Sequence, residues 1–198
     1  MDVRILTSVG DAVNPHLEAL ARLRIAVFRD YPYLYEGDMA YERNYLAAYA
    51  RSKRSVFVLA VDGDEVVGCS TGMPLVDEVP AIQQPFVKHG MLLGDVFYFG
   101  ESVLLPKYRG QGMGHQFLKV REAHARQLPG FRWTAFCAVE RDGHDPRRPA
   151  GYRPNDEFWR KRGYERQDDM FCTLDWKEIG QTAPSSHRLR FWTRPLDV

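Results

Sequence analysis

Val103-Leu104-Leu105-Pro106-Lys107-Tyr108-Arg109-Gly110-Gln111-Gly112-Met113-Gly114 is the end of an apolar, strand-like segment running into a turn with three glycines. The strand pattern begins near Phe97, and a helical pattern from His115 to Arg126 follows the turn at once. That order leaves bare backbone N–H groups at a helix start. They lack internal partners and sit at the positive end of the helix dipole, so the place suits a phosphate or diphosphate. Glycine reaches φ > 0 and lets a ligand approach without meeting a Cβ. Arg109 adds a permanent cation beside the anion site.

Spacing narrows the ligand. A dinucleotide fingerprint needs G-x-G-x-x-G near the start of a βαβ unit, and here the third glycine comes one residue early. A P-loop needs G-K-[ST], whereas His115-Gln116 follows Gly114. What remains is R-x-x-G-x-G, matched by Arg109, Gly112 and Gly114. The segment Gly100 to Gly114 resembles the acyl-CoA-binding motif of the GCN5-related N-acetyltransferase (GNAT) superfamily. The element order β-α-α-β-β-α-β-α-β-α-β-β resembles that family from about Val3 to Leu174, though the specific part is Glu101–Gly114.

The resemblance implies an α/β (α+β) fold. It has a mixed central sheet of about six to seven strands, flanked by helices and splayed at the cofactor site. At 198 residues, positions 1–198 are expected to form a single domain. Individual readings include strands at Val3–Thr7, Ser55–Val61 and Glu65–Gly72, the last two joined by the Asp62-Gly63-Asp64 turn. Asn14-Pro15 reads as a helix start, with Leu17, Leu20, Ala21, Arg24, Val27 and Phe28 in helical spacing. A helix is expected over Met39–Arg51, a connector or lid over Val79–His89, and strands at Arg132–Val139, Met170–Leu174 and Leu189–Thr193. Glu140 to Asn155 is a long Pro/Arg/Gly/Asp-rich loop, and loops of that length are usually functional or disordered. A short helix, Asp156 to Arg162, stops at Gly163.

Composition excludes several classes. Hydrophobic content of 44% and charged content of 27% fit a globular protein. A net charge of +1 argues against nucleic-acid binding by bulk electrostatics. Cys69, Cys137 and Cys172 show no zinc spacing, so no metal is expected and buried free thiols are the simpler reading. The start Met1-Asp2-Val3-Arg4 does not read as a signal peptide, and the longest apolar run, Val56 to Val61, is too short for a bilayer. No membrane role and a cytoplasmic location are the expectations.

The resemblance also implies roles. Val103, Leu104 and Leu105 would pair through their backbone with the pantetheine arm of acetyl-CoA, the expected co-substrate. An N–H near Leu104 would polarise the thioester carbonyl. Arg109, Gly110, Gln111, Gly112, Met113 and Gly114 would hold the diphosphate. Glu101, five residues before Pro106, would accept the proton of an attacking amine. Burial beside Phe99 and Val103 is expected to make it a better base. Trp159 stands where many members carry a proton-donating tyrosine, and an indole N–H does not titrate usefully. Tyr152 and Tyr164 are the nearby candidates for general acid, with water as another, and Trp159 is expected to pack against the core or the cofactor arm. His115 either contacts phosphate or remains an exposed helix residue.

The implied activity is N-acyl transfer, most simply acetyl transfer by direct attack on a small-molecule or peptide amine. A non-catalytic acyl-CoA-binding sensor is the alternative. The loop Asp30 to Asp38 stands where the acceptor loop of the family lies. Tyr31, Tyr33 and Tyr35 with Glu36 and Asp38 suit a cationic amine, whereas Arg147, Arg148 and Arg153 suit cofactor phosphates or an acidic substrate. A homodimer, through the Trp192-bearing strand, is an expectation of the resemblance alone.

Overall fold

Val56 to Val61 is buried along its whole length, and its alternation creates a layered fold. In the computed structural model, which describes residues 3–196, Phe57, Leu59 and Val61 pack with Leu20, Leu23, Leu46 and Tyr49. Val56, Val58 and Ala60 face the other way, onto Phe97, Phe99, Phe117 and Leu118. The first two and last two positions, including the Met1-Asp2 start, lie outside the described residues.

The elements run β1 (Val3–Val9), α1 (Leu17–Phe28), α2 (Met39–Arg51), β2 (Val56–Asp62), β3 (Glu65–Pro74), α3 (Pro80–Lys88), β4 (Val96–Leu104), α4 (Met113–Gln127), β5 (Trp133–Val139), α5 (Asp156–Arg160), β6 (Glu165–Trp176) and β7 (Ser185–Pro195). They form one seven-stranded mixed sheet in the order β1-β2-β3-β4-β5-β7-β6. Helices α1 and α2 cover one face, and α4 covers the other. A further apolar cluster joins Ile82 and Phe86 of α3 to Met170 of β6 and Phe191 of β7. Among the described residues no helix is long and apolar enough to cross a membrane.

β4 and β5 are parallel neighbours over only three pairs, Val96↔Trp133, Phe97↔Thr134 and Tyr98↔Ala135. Beyond these they part. β4 stays with β3 as far as Leu104, and β5 stays with β7 as far as Val139. The cause lies in β4. Its register against β3 shifts between Ser70↔Ser102 and Gly72↔Phe99, so Gly100 and Glu101 together oppose Thr71. Such a bulge bends the strand that carries it. Gly100 is required there, because an added Cβ would collide with the Tyr49 hydroxyl and Thr71 Oγ1.

Three sequence expectations change. The α-helix starts at Leu17, and Pro15 falls in a preceding 3-10 turn, Gly10–His16. The last two strands are much longer than expected. The start of β6, Glu165 to Asp169, is polar and largely exposed on the sheet edge, so it carries no apolar signal. Trp192 cannot serve a dimer surface: it is 2% exposed, and β7 lies between β5 and β6 with no free edge.

Candidate active site

The helix start after the glycine turn is uncapped. Gly112 stands at φ +82 as N-cap of α4, with no side chain bonded to the helix amides. His115 and Gln116 N–H groups bond the Gly112 carbonyl, which leaves the amides before them as the orphan donors of the helix. No atom lies within 4 Å of where a Cβ would stand on Gly110 or Gly112. The space beside the turn is therefore open, and an uncapped helix start of this kind suits an anion.

The free edge of β4 follows from alternation. Leu105 N–H donates to the Val67 carbonyl at 2.9 Å, so Leu105 and Val103 spend their amides on β3. Ser102 and Leu104 consequently direct theirs toward the opening. This narrows the expectation that Val103, Leu104 and Leu105 would all serve the pantetheine arm; of the three, Leu104 has the available N–H. Arg109 Nε donates to the Leu104 carbonyl at 3.0 Å, and Arg109 Nη2 lies 3.7 Å from Asp30. Arg109 thus ties the glycine turn to the strand and to the loop after α1.

One cavity of about 770 Å³ joins these parts. Gly110, Gly112, Met113 and Gly114 line it with Glu101, Ser102 and Leu104, and Phe136 to Val139 of β5 line it across the splay. Gln111 is exposed; its side chain donates to the Lys107 carbonyl at 3.1 Å. Tyr31, Pro32 and Tyr33 from the loop before α2 close one side, and Tyr152 to Asp156 close another.

Glu101 is 6% exposed, and its surroundings differ from the apolar setting expected. Arg24 Nη1 lies 2.7 Å from Glu101 Oε2, and the Tyr45 hydroxyl donates to the same oxygen at 2.9 Å. Arg24 Nε bonds Glu42. Burial works against charge on Arg24, but Glu101, Tyr45 and Glu42 outweigh it and keep the guanidinium strongly basic. Glu101 Oε1 is buried without any hydrogen-bond partner. A buried polar atom in that condition demands an explanation, a water or a substrate group being the usual one.

The two tyrosines separate. Tyr152 is half-buried on the cavity wall, with its ring edge-on to Tyr31 at 4.7 Å between centroids. Burial, then Tyr31, raises its hydroxyl pKa. Tyr164 is 1% exposed in the core, where its hydroxyl donates to Glu122 at 3.0 Å and meets Thr134 Oγ1 at 3.1 Å. Trp159 packs on Phe136 and Trp192 at 5.0 and 5.1 Å and also reaches the cavity wall.

Of the acceptor-loop acids, Asp30 lines the cavity, whereas Glu36 and Asp38 do not. Asp38 caps α2 by accepting from Tyr41 N–H at 2.7 Å, and Glu36 pairs with Lys177 at 3.2 Å. Tyr35 bridges Glu178 through its backbone. In the long loop, Arg147 is tied to Asp145 and Glu178, and Arg148 sits over the Tyr152 ring at 5.5 Å. Arg153 lines the cavity. His115 is exposed and accepts from Arg162 Nε at 3.3 Å, which places Arg162 beside the glycine turn. Cys137 lines the cavity 3.1 Å from the Tyr98 hydroxyl; Cys172 and burial push its thiol pKa well up, so it is a poor nucleophile.

Sequence reasoning missed Arg24, Glu42, Tyr45 and Arg121. A signal existed for the first: Arg24 falls within an apolar helical stripe, where a charged residue must be paired if it is buried.

A family model described as "Acetyltransferase (GNAT) family" matches residues 20–164. No curated protein sequence matches the chain. Solved structures share the fold at low identity. An N-acetyltransferase from Staphylococcus aureus Mu50 is 14% identical, with 100% of each chain covered and a TM-score of 0.62. A phosphinothricin acetyltransferase from Sinorhizobium meliloti, solved in complex with AcCoA, is 15% identical over 99% of this chain and 89% of its own, with a TM-score of 0.58. NAA60 from Arabidopsis thaliana, solved with a bisubstrate analogue, is 13% identical over 98% of this chain and 100% of its own, with a TM-score of 0.61.

Proposed function

The chain belongs to the acetyltransferase (GNAT) family, and from that premise we propose that it moves an acetyl group from acetyl-CoA to the nitrogen of an amine. One observation carries the reading: the uncapped start of α4, the free edge of β4 and the buried Glu101 carboxylate all meet one cavity. The first suits a diphosphate, the second an amide-bearing arm, and the third a proton.

An alkyl ammonium has a pKa of about 10 and must lose a proton before it attacks. Glu101 Oε1, which has no partner, receives that proton directly or through one water. The amine nitrogen bonds to the thioester carbon while the Leu104 N–H stabilises the charge that develops on the carbonyl oxygen. The carbon–sulfur bond then breaks. The thiolate takes a proton from water or from Tyr152, whose raised pKa keeps it protonated at neutral pH. Tyr164 has no part in the step, because its hydroxyl is spent in the core on Glu122 and Thr134. The diphosphate rests on the amides of residues 110–114 beside Arg109. Arg121, Arg153 and Arg162 also line the cavity.

Free-thiol release from acetyl-CoA, measured with spermidine, phenethylamine, free amino acids and an alanine-initiated peptide, tests the reading. Turnover on at least one amine is expected. Glu101→Gln should cost about 10²–10⁴ in kcat with little change in coenzyme A affinity. Tight coenzyme A binding with no turnover on any amine, and no effect of Glu101→Gln, would instead indicate a binding-only domain.

A further inference from the structure

Arg24 reaches two carboxylates from one guanidinium. Its Nε bonds Glu42 of α2, and its Nη1 meets Glu101 of β4 at 2.7 Å. Its planar face is held as well, over the Tyr45 ring at 4.0 Å and the Phe28 ring at 5.0 Å. All three charged side chains are at least nine-tenths buried. The fork of the guanidinium is rigid, so this set of contacts fixes its position closely.

The consequence falls on Glu101. The Tyr45 hydroxyl donates to Oε2, Arg24 Nη1 lies against the same oxygen as an ion pair without a hydrogen bond, and Oε1 is left with no hydrogen-bond partner. A carboxylate held by one oxygen has its rotamer set and its other oxygen free. Glu42 competes for the same cation and so moderates how strongly Arg24 draws on Glu101.

We propose that Arg24 is the positioning residue of the Glu101 base, and that Glu42 tunes it by sharing the guanidinium. The proposal rests on Glu101 acting as the proton acceptor. Other groups also face this centre: Tyr33 and Tyr35 before α2, Tyr41 and Tyr49 of α2, Cys69 of β3, Glu78 after β3, and Arg121 of α4. None of these bonds the Glu101 carboxylate, so the three variants below act on it through Arg24.

The test is the pH profile of kcat/KM with acetyl-CoA and whichever of spermidine, phenethylamine or the alanine-initiated peptide is turned over. Arg24→Met should move the acid limb up by about one unit, because an opposite charge beside the carboxylate is lost. Glu42→Gln should move it down by a smaller amount, because Arg24 then serves Glu101 alone. Arg24→Lys should stay within about half a unit of wild type while kcat falls, since the charge survives but the fork does not. Calorimetric titration with coenzyme A checks that each variant keeps its cofactor site. Glu42→Gln is nearly isosteric and keeps the test decisive if Arg24→Met does not fold. A role in packing alone predicts lower stability with no opposed movement of the limb. Turnover with unmoved limbs overturns this proposal and leaves the enzymatic reading standing. No turnover by wild type overturns both.

Discussion

Arg121, in the third turn of α4, donates from Nη1 to the main-chain carbonyl of Glu101 at 3.1 Å. The same nitrogen reaches the Thr71 carbonyl at 3.1 Å, and Nη2 reaches Ser102 Oγ at 2.8 Å. These oxygens lie at the bulge, where the ladder between β3 and β4 lapses. The helix that begins at the glycine turn therefore also holds the strand that carries the carboxylate. Burial lowers the Arg121 pKa to about 10, still well above neutral, so it remains a cation.

Arg121→Met should accordingly destabilise the fold by about 2–4 kcal/mol, since it strands two buried carbonyls. Denaturant unfolding measures this. A loss below about 1 kcal/mol would mean that the bulge does not depend on the guanidinium.

Gly112→Ala tests the turn. A non-glycine residue at φ +82 costs about 1–2 kcal/mol, and the added methyl occupies the concavity that is now open. Coenzyme A affinity in a calorimetric titration should fall at least about tenfold, with the thermal midpoint lowered by only a few degrees. Unchanged affinity would move the diphosphate elsewhere.

Tyr152→Phe and Tyr164→Phe should part company. The first removes a hydroxyl on the cavity wall and should lower kcat about tenfold or more if it protonates the thiolate. The second should leave kcat near wild type and cost about 1 kcal/mol of stability through the lost bonds to Glu122 and Thr134. Steady-state kinetics on both variants decides, and the reverse ranking would return Tyr164 to the reaction.

Acid should loosen the loop before α2. That loop is strapped to residues 177–179 by Glu36 N–H on the Lys177 carbonyl and Ile179 N–H on the Leu34 carbonyl, both at 2.8 Å. Glu178 anchors the strap through Arg141 and Arg147, and His187 stands beside it at 3.6 Å. Burial disfavours the Glu178 charge, yet Arg147 and Arg141 outweigh it and hold the pKa below its ordinary value. Burial and Arg141 lower the His187 pKa in spite of Glu178. Both folded pKa values lie below the unfolded ones, so both contributions are full at higher pH and fade as pH falls. The His187 contribution fades from about pH 6.5 downward, and the Glu178 contribution from about pH 4.3. Hydrogen exchange at Glu36 and Ile179, compared with β2 amides, should show this local opening in mild acid. Equal protection at both places across that range would contradict it.

Most of the fold was legible because its signals are local. The buried run Val56–Val61, the Asp62-Gly63-Asp64 turn and the glycine turn each carry their own chemistry, and the seven-stranded splayed sheet follows the family resemblance. The edge strand β6 was harder to read because a half-exposed edge is polar at many positions. Glu101 was singled out by its distance from Pro106, but its partners were not. Arg24 is 77 residues away in sequence, and no local pattern says which buried charge a distant helix will present. The same limit applies to the loop acids. Glu36 and Asp38 suit a cation by composition, and only the fold assigns them to Lys177 and to the cap of α2.

A crystal structure of the protein with coenzyme A measures the central claim directly. Diphosphate oxygens are expected within about 3 Å of the main-chain amides of residues 110–114, with the pantetheine arm beside Leu104 in the gap between β4 and β5. A diphosphate bound away from that turn, or a turn left empty at saturating coenzyme A, would contradict it.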